Sequence, residues 1–280
     1  MVRSIVTAIF FAAFAAAQTK PLAIERAGLH QFEDGPVLAA SYEFVPGETI
    51  HFSCHIAGYK IETKDEKQSI HLTWQIRALD PGGVAVDKDK SGRISEGISP
   101  QDKDWTPKFL ATFMVPAFAP SGTYHIPVKV HDEVAGTEAT VELEFRVRGH
   151  EVEPSDKLIA RNFELLRSEE DKVPFDPAIY HPGDTLWARF DITGFQFGEK
   201  NRFSVDYGLA IVNAAGEQMF AQLVAAEDSS ESFYPQRYVP GVLSLNLDKN
   251  VPQGSYTLVV IVHDKVGNQK METRAKFRVE

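Results

Sequence analysis

The sequence predicts an all-β protein in which two antiparallel β-sandwich domains follow each other along the chain. Two observations support this prediction. Apolar and polar residues alternate along several short segments, and the motifs of the first part of the chain recur in the same order in the second part. Short alternating segments separated by turn-forming residues are typical of β-sandwiches.

The alternation is clearest at residues 70–78, where every second side chain is apolar and the intervening ones are polar. Residues 203–211 and 271–279 show the same period of two. Successive side chains of a strand point to opposite faces, so this period turns one face toward an apolar core. We therefore predict strands at these three positions.

An internal repeat divides the chain into two copies. Residues 44–50 match residues 180–186, and residues 121–124 match residues 253–256, with few gaps between the matched motifs. The repeated unit has the size of a domain and is too long for a solenoid repeat. The repeat therefore predicts a duplicated domain.

A polar stretch at residues 150–156 separates the two copies and is predicted to be a linker. The first domain is then expected at residues 18–149 and the second at residues 157–280. In this alignment Cys54 corresponds to Phe190. A position that accepts both residue types is predicted to lie in the apolar core, where cysteine behaves as a small hydrophobic residue.

Residues 1–17 have the pattern of a cleaved signal peptide. Arg3 precedes an apolar run that ends in small residues, and this run is too short to span a bilayer. Cys54 is the only cysteine, and the sequence contains no acceptor site for N-linked glycans. These features predict an exported, bacterial protein in the periplasm or outside the cell, without a membrane span.

Two short segments carry a family resemblance. Residues 119–126 and 254–258 resemble the approach to strand F of immunoglobulin-like domains, where a Gly-x-Tyr tyrosine closes a corner of the sandwich. The resemblance implies that the hydroxyl groups of Tyr124 and Tyr256 bond to nearby backbone. No second cysteine follows either tyrosine, so the chain resembles the disulfide-free bacterial or fibronectin type III-like branch. Such a resemblance implies a fold and no activity.

The charge and the missing motifs limit the possible functions. The formal net charge of −10 disfavours binding to nucleic acid, and the chain has no basic run for an anionic membrane. The usual catalytic motifs are absent, and Asp132 and Asp264, which precede turns, are expected to bond turn backbone. We therefore predict a protein that is not an enzyme and has no required cofactor.

The leading functional hypothesis is a binding or spacer module of the cell envelope or the exterior, with a protein or polysaccharide as its partner. A first alternative is a pair of carbohydrate-binding modules that use exposed aromatic residues. Candidates for this role are Trp105, Trp187, Phe233, Tyr234 and Tyr238. A hydrolytic enzyme is a weaker alternative. The sequence does not indicate an oligomeric state.

One segment suggests a calcium site. Asp87, Asp89 and Ser91 are spaced like the first oxygen ligands of an EF-hand-type loop, and Gly92 follows them. Ile98 stands where a bidentate glutamate would complete the shell. The alternative interpretation is a solvated, charged loop.

A second group of residues suggests an interface. Val259 and Ile261 are flanked in sequence by further apolar residues, whose side chains point to the opposite face. Both faces of this strand are therefore apolar. Such strands are usually covered on both faces. Together with Trp187, these residues form the predicted partner-binding surface, which would pack on the first domain or on another chain.

Overall fold

A computed structural model describes residues 20–102 and 104–280, and the predicted signal peptide at residues 1–17 lies outside this part of the chain. The described residues form strands and two short 3-10 turns, Pro100–Asp102 and Glu199–Asn201. Among them, no helix has the length and apolar character needed to cross a membrane. The predicted all-β class is confirmed.

The strands up to residue 147 form two sheets around one core. A three-stranded sheet has the order β1-β3-β7. The other sheet has the order β2-β9-β8-β5-β4, and β6 also pairs with β5. The strands are β1 (Ala23–His30), β2 (Glu43–Phe44), β3 (Thr49–Ala57), β4 (Glu62–Lys64), β5 (Lys67–Ile76), β6 (Lys90–Ile98), β7 (Lys108–Met114), β8 (Gly122–Asp132) and β9 (Thr137–Val147).

The strands from residue 159 onward form two further sheets around a second core. Their orders are β10-β12-β15 and β11-β17-β16-β13-β14. The strands are β10 (Ile159–Leu166), β11 (Ile179–Tyr180), β12 (Thr185–Thr193), β13 (Phe203–Asn213), β14 (Gln218–Ser230), β15 (Val239–Asn246), β16 (Gly254–Asp264) and β17 (Gln269–Val279). We refer to the two groups of strands as the first half and the second half.

The two halves repeat the same pairing pattern. β1 pairs with β3 as β10 pairs with β12, and each pair has a register shift at the corresponding place. Most strand pairs are antiparallel. Each half has one parallel pair, β2 with β9 in the first half and β11 with β17 in the second. The strands predicted at residues 70–78, 203–211 and 271–279 correspond to β5, β13 and β17.

Cys54 and Phe190 occupy corresponding core positions, and both are fully buried. The smaller of the two residues has a large neighbour across the sheet, and the larger one has a small neighbour. Cys54 lies opposite Phe109, whereas Phe190 lies opposite Gly241. Each pair thus contains one ring and one small residue, with the ring on opposite strands in the two halves.

Both tyrosines of the Gly-x-Tyr segments bond to nearby backbone, as predicted. The hydroxyl of Tyr124 donates to the carbonyl of Pro120 over 2.9 Å. Tyr256 donates to the carbonyl of Pro252 over 2.7 Å. Each bond ties the start of a central strand to the loop before it.

Asp132 and Asp264 cap the turns that follow their strands, which confirms their predicted role. In Asp132, one carboxylate oxygen accepts bonds from two turn amides, at 2.9 and 3.0 Å. The other oxygen accepts the backbone amide of Lys60 over 2.7 Å. Asp264 repeats this arrangement with the backbone amide of Gln196. Both carboxylates are buried and serve to hold loops.

Candidate functional site

The predicted calcium segment is a strand from Lys90 onward, so its interpretation as a loop is wrong there. Ser91 lies in β6, and Gly92 lies opposite Trp74 of β5. A methyl group on Gly92 would come within 2.5 Å of the Trp74 indole, so this glycine makes room for a ring. Its presence is therefore explained without a metal.

The two carboxylates of the segment face cations of the protein. Asp87 lies 3.1 Å from the ammonium group of Lys90, and Asp89 forms an ion pair with Arg77. Within residues 20–102 and 104–280, no cluster of three or more His, Cys, Asp or Glu side chains is arranged to hold a metal ion. Calcium binding by Asp87, Asp89 and Ser91 stays a prediction.

The outer face of β16 is apolar, as the sequence indicates, and it is buried by the chain itself. Val259 and Ile261 form a small cluster with Ala210, separate from the main core of the second half. Only 4% of Val259 and 5% of Ile261 is exposed, so neither side chain offers a surface to another chain. Trp187, on β12, is half-buried.

The aromatic residues proposed for sugar stacking fall into two groups. Trp105 and Phe233 are exposed, and Trp187 is partly accessible. Tyr234 and Tyr238 are buried, each in contact with side chains of the first half. These two rings are therefore unavailable to a sugar.

Four exposed large apolar side chains of the second half lie on β14. Met219, Phe220, Leu223 and Val224 are between 42% and 55% exposed. β14 pairs with β13, and in the described part of the chain its other edge has no partner strand. A strand edge with unpaired backbone groups is able to pair with a strand of another chain, and proteins usually protect such edges with charged residues.

The corresponding edge strand of the first half is protected in this way. β6 pairs with β5 as β14 pairs with β13. It carries Lys90, Arg93 and Glu96, and its residues include no exposed large apolar side chain. β14 has no charged residue from Gln218 to Ala226. The exposed apolar residues of β14 thus have no counterpart on β6.

Two bulges shape β14. The register shifts between Ile211 and Val212, and again opposite Gly208, where Leu223 and its two successors have no directly opposed partner. A methyl group on Gly208 would lie 2.1 Å from a carbonyl oxygen of β14, so glycine permits this close approach. The bulges turn Met219, Leu223 and Val224 out of the regular ladder.

An apolar slit opens beside the first bulge, between the edges of the two sheets. It has a volume of about 620 Å³. Phe220 of β14, Leu245 of β15, Leu247 and Val251 are among the residues that line it. Its lining includes Ile211 and Phe277, which belong to the core of the second half, and the polar residues Asn246, Asp248 and Asn250. The slit therefore gives access to the interior of the sandwich.

A long charged side chain covers the matching position in the first half. The ammonium group of Lys90 lies 5.2 Å from the centre of the Phe113 ring. Phe113 pairs with Ile50 as Leu245 pairs with Leu186. In the second half the corresponding edge residue is Gln222, which lies opposite Leu209. The cation of Lys90 is thus replaced by an uncharged side chain at the corresponding place in the second half.

The surroundings of β14 are acidic. No Lys or Arg occurs between residues 213 and 236, whereas Glu217, Glu227, Asp228 and Glu231 fall in this interval. Glu227 pairs with Lys265, and Glu231 pairs with Lys200. The uncharged edge is therefore flanked by carboxylates at both ends.

A second notable region joins the two halves. Asp80 is 1% exposed, and one of its oxygens accepts a hydrogen bond of 2.9 Å from the Tyr234 hydroxyl and an ion pair from Arg237. The other oxygen accepts the backbone amides of Gly82 and Val84. Tyr234 and Arg237 lie between β14 and β15, so a loop of the second half reaches a buried carboxylate of the first.

The hydroxyl of Tyr234 must keep its proton to donate a hydrogen bond to Asp80. Burial raises the pKa of Tyr234, and the hydrogen bond to Asp80 raises this pKa further. The phenol thus keeps its proton and remains a donor over the physiological pH range. Its ring packs with the core of the first half.

Asp191 anchors the linker between the halves. Its carboxylate is hydrogen-bonded to His150 over 2.8 Å and to Asn162 over 2.7 Å. Tyr238 contacts both the His150 ring and Phe118 of the first half. The His150–Asp191 pair therefore holds the connection in place.

The β14 edge, the slit and the contacts of Asp80 were not predicted from the sequence. The signal for the edge was present as the long interval without Lys or Arg around an apolar run. Comparison with protein-family models and with curated proteins finds no match to this chain.

Proposed function

We propose that this chain is a non-catalytic exported protein with two immunoglobulin-like domains that binds a protein partner of the cell envelope or the exterior. The binding surface is the apolar edge of β14 together with the adjoining slit. The observation that carries the proposal is the exposure of Met219, Phe220, Leu223 and Val224 on an edge strand. Several exposed large apolar side chains on one strand are typical of interaction sites in soluble proteins.

The contrast between the two halves supports this proposal. β6 and β14 have the same place in their sheets, yet β6 carries Lys90, Arg93 and Glu96 and β14 is uncharged from Gln218 to Ala226. A protected edge is therefore compatible with this fold, and the second half departs from it. A function that uses the edge explains the departure.

The contacts between the halves support the spacer aspect of the proposal. Asp80 binds Tyr234 and Arg237, and Tyr238 packs on Phe118. These contacts restrict rotation of the second half about the linker. The β14 edge would then be held in a fixed position relative to the first half.

A selection experiment tests the proposal. The mature chain is immobilised and exposed to a library of random peptides, and the selection is repeated with the double variant Met219→Lys, Val224→Lys. Both side chains are about half exposed, so their replacement leaves the core intact. We expect the wild type to enrich a set of peptides that the double variant fails to bind.

A matched control uses the other edge strand. The double variant Ser91→Lys, Glu96→Gln produces the same change in net charge on β6. It should bind the selected peptides as the wild type does. Peptides that bind all three proteins equally, or a selection that enriches nothing, would contradict the proposed function.

A further inference from the structure

We infer that the partner segment is an extended stretch of polypeptide with alternating apolar side chains and a Lys or Arg at each end. It would add to β14 as a further strand and place one apolar side chain in the slit. This inference rests on the proposed function and specifies the chemistry of the partner. Three features of β14 and its surroundings support it.

The first feature is the backbone of β14. Its edge away from β13 has no partner strand within the described ranges, so its amide and carbonyl groups point to solvent. The residues from Gln218 to Gln222 precede the larger bulge. An extended segment satisfies these groups by main-chain hydrogen bonds, which is the usual mode of strand addition.

The second feature is the slit. Strand addition at Gln218–Gln222 brings alternate side chains of the added strand over Phe220 and toward Leu245. The slit holds about 620 Å³ and is lined mainly by apolar residues, which include the core residues Ile211 and Phe277. An aliphatic or aromatic side chain matches this lining, whereas a charged one would lose its hydration there.

The third feature is the charge around the edge. Glu217 immediately precedes β14, and Glu227 and Asp228 follow its uncharged part. In the part of the chain that the structure describes, no lysine or arginine forms an ion pair with Glu217 or Asp228. A partner with a cation at each end of an apolar centre is complementary to this pattern.

The same charges disfavour a second copy of this chain as the occupant. An antiparallel pairing of β14 with itself that buries the whole apolar run is centred between Gln222 and Leu223. It brings Glu217 of one copy opposite Asp228 of the other. Like charges directly opposite each other destabilise a strand pair. The net charge of −10 on each chain adds to this repulsion.

Two synthetic peptides of about nine residues, the length of the uncharged stretch, test the inference. In both, valine alternates with threonine; one has lysine at each end and the other glutamate. Binding to the mature chain is measured by calorimetry, and the bound region is located by hydrogen exchange. We expect the lysine-ended peptide to protect amides of β14 and the glutamate-ended peptide to bind at least about tenfold more weakly.

Protein variants locate the charge effect. Glu217→Lys should weaken the lysine-ended peptide about fivefold and strengthen the glutamate-ended one. Glu96→Lys, which makes the same change on β6, should leave both affinities unaltered. Equal binding of the two peptides, no response to Glu217→Lys, or a lysine-ended peptide that does not bind would overturn the inference.

The outcomes also separate this inference from the function it rests on. If library peptides bind in a β14-dependent manner but show no preference for basic ends, the proposed function stands and the inference fails. If the Met219→Lys, Val224→Lys variant binds library peptides normally, the proposed function itself fails. Sedimentation that shows a dimer with protected β14 amides and no peptide would identify a second copy as the occupant, and this too would overturn the inference.

Discussion

The hydroxyl of Tyr234 donates a hydrogen bond of 2.9 Å to the carboxylate of Asp80, which lies 154 positions earlier in the chain. Asp80 is almost fully buried in the first half, and Tyr234 belongs to the second. The bond thus holds a loop of the second half against the core of the first half. Hydrogen bonds to buried charged groups contribute more to stability than neutral ones.

Replacement of Tyr234 by Phe should therefore destabilise the protein. The ring remains in place, but Asp80 loses a donor, and we expect a loss of about 2 kcal/mol in the free energy of unfolding. Urea denaturation measures this change. Phe233→Ala is the control, since Phe233 is the exposed neighbour, and it should cost less than about 0.5 kcal/mol. Equal effects of the two substitutions would contradict the role of the hydrogen bond.

Arg237→Met tests the ionic part of the same contact. Arg237 pairs with Asp80, and its loss leaves a buried carboxylate with neutral donors alone. We expect destabilisation of about 2 kcal/mol, below the range for fully buried pairs because part of the Arg237 side chain reaches solvent. Lys200→Met, which removes an exposed ion pair with Glu231, is the control and should change stability little.

The Cys54 thiol predicts a specific dependence of stability on pH. Burial raises its pKa from 9.0 to about 12. The unfolded thiol therefore ionises first, so the associated stability is complete below pH 9 and is lost as pH rises toward 12. Between about pH 9 and pH 10, wild type should lose about 1 kcal/mol more than Cys54→Ala does. Urea titrations of both proteins under reducing conditions measure the difference, and parallel curves would refute it.

The aromatic ring of the Cys54–Phe109 pair lies on β7, whereas that of the Phe190–Gly241 pair lies on β12. This difference gives a prediction about packing. A methyl group on Gly241 would lie 2.4 Å from the Phe190 ring, so Gly241→Ala should cost about 2 kcal/mol. The double variant Phe190→Cys, Gly241→Phe copies the Cys54–Phe109 pair of the first half. It should be less destabilised than the sum of its single variants by at least about 1 kcal/mol in a double-mutant cycle. Additive effects would show that the two positions do not share one space.

Gly92→Ala should disturb the stacked pair of rings in the first half. The added methyl group would lie 2.5 Å from the Trp74 indole, which stacks on Phe109 with 4.5 Å between the ring centres. We expect a loss of about 2 kcal/mol and a change in tryptophan fluorescence. Gly97→Ala, on the same strand, is the control, because its added methyl group would lie 3.8 Å from the nearest atom. A Gly92→Ala protein as stable as this control would contradict the prediction.

Much of the fold can be predicted from the sequence because the patterns that indicate its strands and turns are local. The period of two at residues 70–78 and 203–211 identifies β5 and β13, since a strand with one buried face imposes that period on its own residues. The equivalence of Cys54 and Phe190 follows from the repeat. The Gly-x-Tyr segments identify Tyr124 and Tyr256 and their bonds to backbone.

The site depends on relationships that no local pattern encodes. Asp80 and Tyr234 meet only in the folded chain, so neither residue signals the other in the sequence. Gly92 resembles a calcium-loop glycine in sequence, but its position opposite Trp74 depends on the pairing of β6 with β5. The positions of Val259 and Ile261 between other apolar residues correctly indicate a strand that is apolar on both faces. That the chain buries both residues by itself depends on its tertiary structure.

The position of Tyr234 makes the two halves unequal as candidates for separate expression. Truncation after the linker would remove a ring from the interior of the N-terminal piece and strip Asp80 of its hydroxyl and guanidinium donors. The C-terminal piece would lose no comparable component from its main core, whose residues all come from its own strands and loops. The first half thus depends on the second to complete its core, whereas the second supplies its own interior.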